Sequence, residues 1–481
     1  MARTLRSRTP WDELAGLPFE GNYPTEEGRA RLLDEHYFQR AVQVYLGALP
    51  VVNMLGMRDG SEAKWGSGYN VLPIWKRRMD AKCRVPTPNA DVIYAMSYLD
   101  LRKDGPLVVV APPGILGMLS DVWQRCLSDV GFAGPDKGQG GQYLLLPPHY
   151  DGPVPGGYYV LRSSTNNIFM FWRAFLTRGT GPDPAQGVAA LERTLVYPLR
   201  HTNPATWKPM EFPDASGEAV EMLFPRDATY FDRLAEIIEY EPIDSVDLYL
   251  RGMMASLGIV KGEPFKPDRH LRRILERAAE VAPKIVAAVT LTPDSYSGRR
   301  YYTGKVTRRW LNGFPDIDEN FNANSYLNLD HRMAFFTVAY SASPAMAANI
   351  VGGGAKYPTT FWDADGDYLS GEHTYRLHLP PDPPARLFWA ATIYNPLDGT
   401  MIDAGQPFPS VNSLDERVVA NEDGSFDLYL GPERPADAPE WNWIATNPGE
   451  GYLVCLRLYG PTEPFFNLSW IPDDVVKVGK A

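Results

Sequence analysis

A chain of 481 residues, 44% of them hydrophobic, is long enough for more than one domain and for a large buried core. Its 47 basic and 58 acidic residues leave a net charge of −11, which argues against a nucleic-acid partner and against an anionic membrane surface. Three cysteines, Cys83, Cys126 and Cys455, lie too far apart for a metal-type spacing, and a disulfide framework is not expected.

The N-terminus, MARTLRSRTPWDELAGLPFEG, is basic at its start but has no apolar core of signal-peptide length. No stretch approaches 18 apolar residues, so a soluble, cytoplasmic product without membrane partners is expected. From Glu26 to about Leu55 the spacing of Tyr37, Ala41, Val44, Tyr45, Ala48 and Leu49 predicts a helix, which Pro50 should end or kink. From Trp65 to about Arg173 the texture is that of strands. VIYAMSYLDL and PLVVVAPP are apolar on both faces and are separated by turns such as YDGPVPGGYYV. The middle, roughly Glu218 to Leu291, is helical, with Asp268 as an N-cap for the segment that follows it. LNGFPDIDENFNANSYLNLDHRMAFF reads as an ordered crossing into a last β region. That region begins near Pro358 and contains YRLHLPPDPPARLFWAATIYNPLDGTMI, DGSFDLYLG and GYLVCLRLYGPTEPFFNLSW.

TPNADVIYAMSYLDLRKDGPLVV, followed by SDVW and NIFMFWRAFL, resembles the DUF1254 family. DADGDYLSGEHTYRLHLPPDPPARLFWAATIYNPLDGTMI, NEDGSFDLYL, WNWIATNPGEGYLVCLRLYGP and SWIPDDVVKV resemble its companion, DUF1214. The resemblance implies two jelly-roll-like antiparallel β domains joined by an α-helical segment, often as oligomers, and no settled reaction. Where many relatives carry an Arg-Tyr-Tyr run after the PLVV strand, this chain has GILGMLSDVW. The expected fold is mainly β with a helical insertion. A helical lead-in over 1–64 and a DUF1254-like β domain over 65–215 come first. A helical and connecting segment over 216–335 and a DUF1214-like β domain over 336–481 follow.

Candidate chemistry is sparse. The glycine-serine elbow, the His-Glu-x-x-His zinc motif and the phosphate-binding glycine loops are all missing from the sequence. Asp363, Asp365 and Asp367 echo a calcium loop but lack its bidentate Glu, so hairpin turns explain them better and no metal ligands are assigned. Thr87, Asn89 and Asp91 sit at the mouth of a strand. They can bond backbone amides there, or Asn89 can face a ligand with Tyr94 close by. Arg457 shares a strand face with Leu453, Cys455 and Tyr459 and needs either a carboxylate partner or an anionic ligand. Trp441 and Trp443 are placed to wall the same cavity, and His331, beside Asp330 and Arg332, is the general-base candidate.

The expectation is an enzyme acting on a small oxygenated or carboxylate-bearing molecule. His331 and Tyr94 are its catalytic candidates; Asn89, Arg457 and Trp443 are its substrate-binding ones. The cofactor is unknown, a small-molecule ligand and a homo-oligomer are the expected partners, and the reaction type is unassigned. The alternative is a non-catalytic binding or assembly protein. A cavity gathering Asn89, Arg457 and an unpaired titratable group favours the enzyme; dispersal of these residues among separate, fully paired cores favours assembly.

Overall fold

In the computed structural model, the described residues are 9–479 except 202, 293–299, 303–305 and 315–316. Within the expected crossing segment, Pro315 and Asp316 therefore lie outside the described residues. The principal elements, in chain order, begin with helix α1 (Glu26–Trp65). Eight strands follow: β1 (Val92–Asp100), β2 (Leu107–Ala111), β3 (Leu116–Asp121), β4 (Cys126–Val130), β5 (Gly141–Leu146), β6 (Tyr159–Arg162), β7 (Asn167–Phe175) and β8 (Leu195–Pro198). Then come helices α2 (Thr229–Tyr240), α3 (Leu248–Ala255), α4 (Arg269–Thr290) and α5 (Leu329–Val338). The last nine strands are β9 (Ala355–Lys356), β10 (Thr359–Thr360), β11 (Tyr375–Leu379), β12 (Ala385–Tyr394), β13 (Ser410–Asn412), β14 (Phe426–Gly431), β15 (Trp443–Ala445), β16 (Leu453–Pro461) and β17 (Val476–Lys477).

The chain forms two compact units. One joins the residues up to Ala48 with Pro225–Ile285 and is helical. In it Tyr45 stacks on Tyr230 with centroids 4.0 Å apart, and the Tyr230 hydroxyl donates to the Tyr45 carbonyl at 2.7 Å. Asp268 caps α4 as expected, its carboxylate accepting from the Leu271 amide at 2.8 Å.

The other unit, Leu49–Phe224 with Val286 onward, holds four larger sheets. Their strand orders are β1-β7-β3-β4, β8-β2-β5-β6, β9-β16-β12-β13 with β10 also paired to β16, and β15-β14-β11-β17. The last two close on a common core: Leu377, Leu379, Leu428 and Leu430 from one meet Ile393, Val454, Leu456 and Leu458 from the other.

Three expectations need correction. The protein is mixed rather than mainly β, 28% helical and 26% strand, because the helices are long. Of the two outcomes expected at Pro50, an end or a kink, the end does not occur, because the first helix runs on to Trp65. A proline inside a helix costs about 3 kcal/mol, but Val51, Val52, Leu55 and Met57 just beyond it are buried, each gaining roughly 1.5–3 kcal/mol. Burial therefore wins. Finally, the pairing is not wholly antiparallel. β6 lies parallel to β5, and β15 parallel to β14, each pair joined by a connection of about a dozen residues, as parallel neighbours require.

Candidate ligand-binding site

β1 and β7 are antiparallel neighbours, with Tyr94 opposite Arg173 and Met96 opposite Phe171. Strand alternation puts Tyr94, Phe171 and Arg173 on one face, where the Tyr94 and Phe171 rings meet edge to face at 4.8 Å. On β16 the same alternation sends Val454, Leu456 and Leu458 into the shared core and leaves Leu453, Cys455, Arg457 and Tyr459 on the opposite face. Helix α5 brings His331, Ala334, Phe335 and Val338. These elements enclose a cavity of about 170 Å³, whose lining also includes Thr87, Phe314, Tyr340, Ser341 and Tyr357. That is room for on the order of ten water-sized groups.

Of the residues singled out in the sequence, Tyr94, His331 and Arg457 meet on this wall. Asn89 stands behind it. Its side-chain amide donates to the Tyr459 hydroxyl, and its carbonyl oxygen accepts from the Asp91 amide at 2.8 Å. Trp443 does not join them. It lies on β15, in the sheet across the shared core from β16, and its indole N–H donates to the Gly431 carbonyl at 3.1 Å.

The Thr87–Asn89–Asp91 cluster is mostly a knot between sheets. The buried Asp91 carboxylate accepts from Ser410 and Asn412, both at 2.8 Å, and lies 3.5 Å from the Arg78 guanidinium. Thr392 reaches it at 3.4 Å. Thr87, by contrast, lines the cavity, in left-handed backbone at φ 38°, a costly setting for a β-branched residue.

Arg457 and Arg173 are 4% and 9% exposed, and neither pairs with a carboxylate among the described residues. Arg457 donates to the Thr392 hydroxyl at 2.9 Å and lies 5.2 Å from the centre of the Tyr394 ring. Arg173 lies 5.4 Å from the centre of Phe171, and its Nε makes no hydrogen bond. Both guanidinium groups are close enough to Tyr94 and Tyr459 to act on their titration, so the two charges converge. Burial raises the Tyr94 pKa and Arg173 and Arg457 oppose the rise; the net shift is upward, which keeps this phenol a hydrogen-bond donor at neutral pH. His331 Nε2 lies 2.6 Å from the Gly313 carbonyl. A carbonyl only accepts, so the neutral ring carries its proton on Nε2 and its lone pair on Nδ1.

Arg173 was not singled out in the sequence. Its signal was there, an arginine among the inward positions of NIFMFWRAF, where every neighbour is apolar. Among the described residues, no group of three or more His, Cys, Asp or Glu is placed to hold a metal. The Asp363 carboxylate is instead taken up by the Gly366 and Asp367 amides, both at 3.0 Å, in a turn.

Two family models match the chain, Protein of unknown function (DUF1254) over residues 69–198 and Protein of unknown function (DUF1214) over residues 354–463. No curated protein matches. Among solved structures, the VPA0106 protein from Vibrio parahaemolyticus is similar with a TM-score of 0.55 at 16% identity, over 92% of this chain and 100% of its own. An uncharacterized protein from Burkholderia cenocepacia has a TM-score of 0.37 at 13% identity, over 97% of this chain and 93% of its own. The first likeness concerns the fold alone. With the DUF1254 match before the DUF1214 match, and the helices of the middle region between them, the chain contains one region of each family.

Proposed function

We propose that this protein is a cytoplasmic, homo-oligomeric enzyme that acts on a small carboxylate-bearing organic molecule held in the cavity. Its β regions are taken as two jelly-roll-like domains. The observation that carries the reading is the pair of buried guanidinium groups, Arg173 and Arg457, on the wall of one largely apolar cavity and without a carboxylate partner among the described residues. A buried charge without a counter-ion costs several kcal/mol, and an anionic ligand offsets that cost. The aromatic walls of Phe171, Phe314 and Phe335 suit the ligand's carbon body. Tyr94 is the donor nearest the head group by this reading, and His331, with its lone pair on Nδ1, is the proton acceptor.

Calorimetric titration with phenylacetate and with phenylacetamide tests the proposal. The acid should bind and the amide should bind about 10- to 100-fold more weakly, as expected when a charge-assisted contact is lost. Equal affinities, or no binding of the acid, would sink it. Mass analysis of the ligand after prolonged incubation separates the two classes of function: an altered ligand supports the enzyme, whereas a bound but unchanged panel of acids supports a binding protein. Native mass spectrometry reports the subunit number.

A further inference from the structure

Ser341 stands at φ 58°, left-handed backbone that is unfavourable for any residue with a Cβ. The surroundings hold it there. Its N–H donates to Gln124 Oε1 at 2.8 Å, and Gln124 Nε2 donates to the Pro50 carbonyl at 2.7 Å and to Asn53 Oδ1 at 3.4 Å. Asn53 in turn donates to the carbonyls of Phe336 and Ala339, at 2.7 and 3.2 Å, so the same amides clamp the end of α5 that leads into Ser341.

What this clamp presents is a hydroxyl. Ser341 lines the cavity, is 2% exposed, and its Oγ makes no hydrogen bond with any described residue. A buried hydroxyl left unpaired is unfavourable. Glycine would relieve the backbone and alanine would remove the unpaired oxygen, so a serine here answers neither structural need. Strain held by an over-determined network around an unsatisfied polar group points to a ligand contact.

Resting on the anion reading above, we propose that Ser341 Oγ recognises a second oxygen on the bound acid, which makes the ligand class hydroxy- or oxo-carboxylic acids. The carboxylate sits at Arg173 and Arg457 and the other oxygen at Ser341, whose hydroxyl can donate to a carbonyl or accept from an alcohol. Ser341 is then a specificity residue.

The test is calorimetric titration of the full chain with phenylacetate, mandelate, phenylglyoxylate and 4-hydroxyphenylacetate, repeated for Ser341→Ala and Ser341→Gly. At least one oxygenated acid should bind the native protein about tenfold tighter than phenylacetate, the usual worth of one hydrogen bond. That ratio should collapse towards one in both variants. Should the alanine variant fail to fold by circular dichroism, the glycine variant, which suits the left-handed backbone, carries the test. A preference that survives in the folded variants overturns the proposal, as does the lack of any preference in the native protein. In both cases phenylacetate binding leaves the arginine reading intact. Failure of all four acids to bind overturns both.

Discussion

The Arg457 guanidinium donates to the Thr392 hydroxyl at 2.9 Å rather than to a carboxylate. Thr392 in turn reaches Asp91 at 3.4 Å, so the nearest negative charge along this path is one side chain removed and already shared with Arg78, Ser410 and Asn412. Arg457 is thus positioned by the knot without being neutralised by it.

Arg173 offers the clearest trade between stability and binding, because its Nε makes no hydrogen bond. Its partners are phenols, Tyr357 by a hydrogen bond and Tyr94 and Tyr459 through their charge interaction, and replacing a buried ionic group with a well-packed apolar side chain of similar size is often neutral or stabilising, by about 1–4 kcal/mol. Arg173→Met should therefore raise the urea midpoint of the ligand-free protein while lowering affinity for phenylacetate at least about tenfold. A variant both less stable and equally good at binding would contradict the role given to this residue.

Asp91 should behave in the opposite way. Arg78 is largely buried beside it, so Asp91→Asn leaves that guanidinium without its ion partner and weakens the bonds from Ser410 and Asn412. Breaking a buried pair from one side costs about 3–5 kcal/mol. Urea unfolding of the variant measures it, and a loss below about 1 kcal/mol would show that the knot is not a structural anchor.

Lys356 sets a pH dependence. Burial pushes its ammonium pKa down to about 8 from the usual 10.5, although Nζ donates to the carbonyls of Met346 and Ala347 at 3.1 Å. Between those two values the unfolded chain holds more protons than the folded one, so stability rises with pH. The penalty for burying the charged form is fully present below about pH 8 and is relieved above it, by at most about 3 kcal/mol if the whole shift is realised. Buried Cys83, Cys126 and several tyrosines, whose pKa values burial raises, oppose this trend in both proteins, so the quantity to read is the difference: from about pH 7 to about pH 10 the unfolding free energy of the native protein should gain on that of Lys356→Met. The same slope in both would assign the effect elsewhere.

Gly399 links the knot to the cavity wall. It lies at φ 73°, its carbonyl accepts from the Thr87 amide at 2.7 Å, and a Cβ there would stand 2.0 Å from the Val338 carbonyl at the end of α5. Gly399→Ala should cost on the order of 2–4 kcal/mol through strain and displacement of that wall, read as a fall in melting temperature. A change within about 0.5 kcal/mol would mean that the wall yields easily.

Much of this protein was legible in the sequence because it depends on local pattern. Alternation along LVCLRLYGP assigned Arg457 to a face with Leu453, Cys455 and Tyr459, and the first three of that face, Leu453, Cys455 and Arg457, line the cavity. Turn chemistry explained the Asp363 loop, and capping chemistry placed the start of α4 at Asp268. Periodicity cannot say which of two apolar faces meets which partner, so it could not decide that β16 would oppose β7, nor that Arg173 would share a cavity with Arg457. It could not show that Trp443 sits in the sheet across the core, or that burial would carry a helix past Pro50. The strain at Ser341 is likewise a product of amides from Gln124 and Asn53, far away in sequence. Side-chain spacing is a property of the local chain, whereas the pairing of charges and the cost of leaving one unpaired exist only once distant segments have packed.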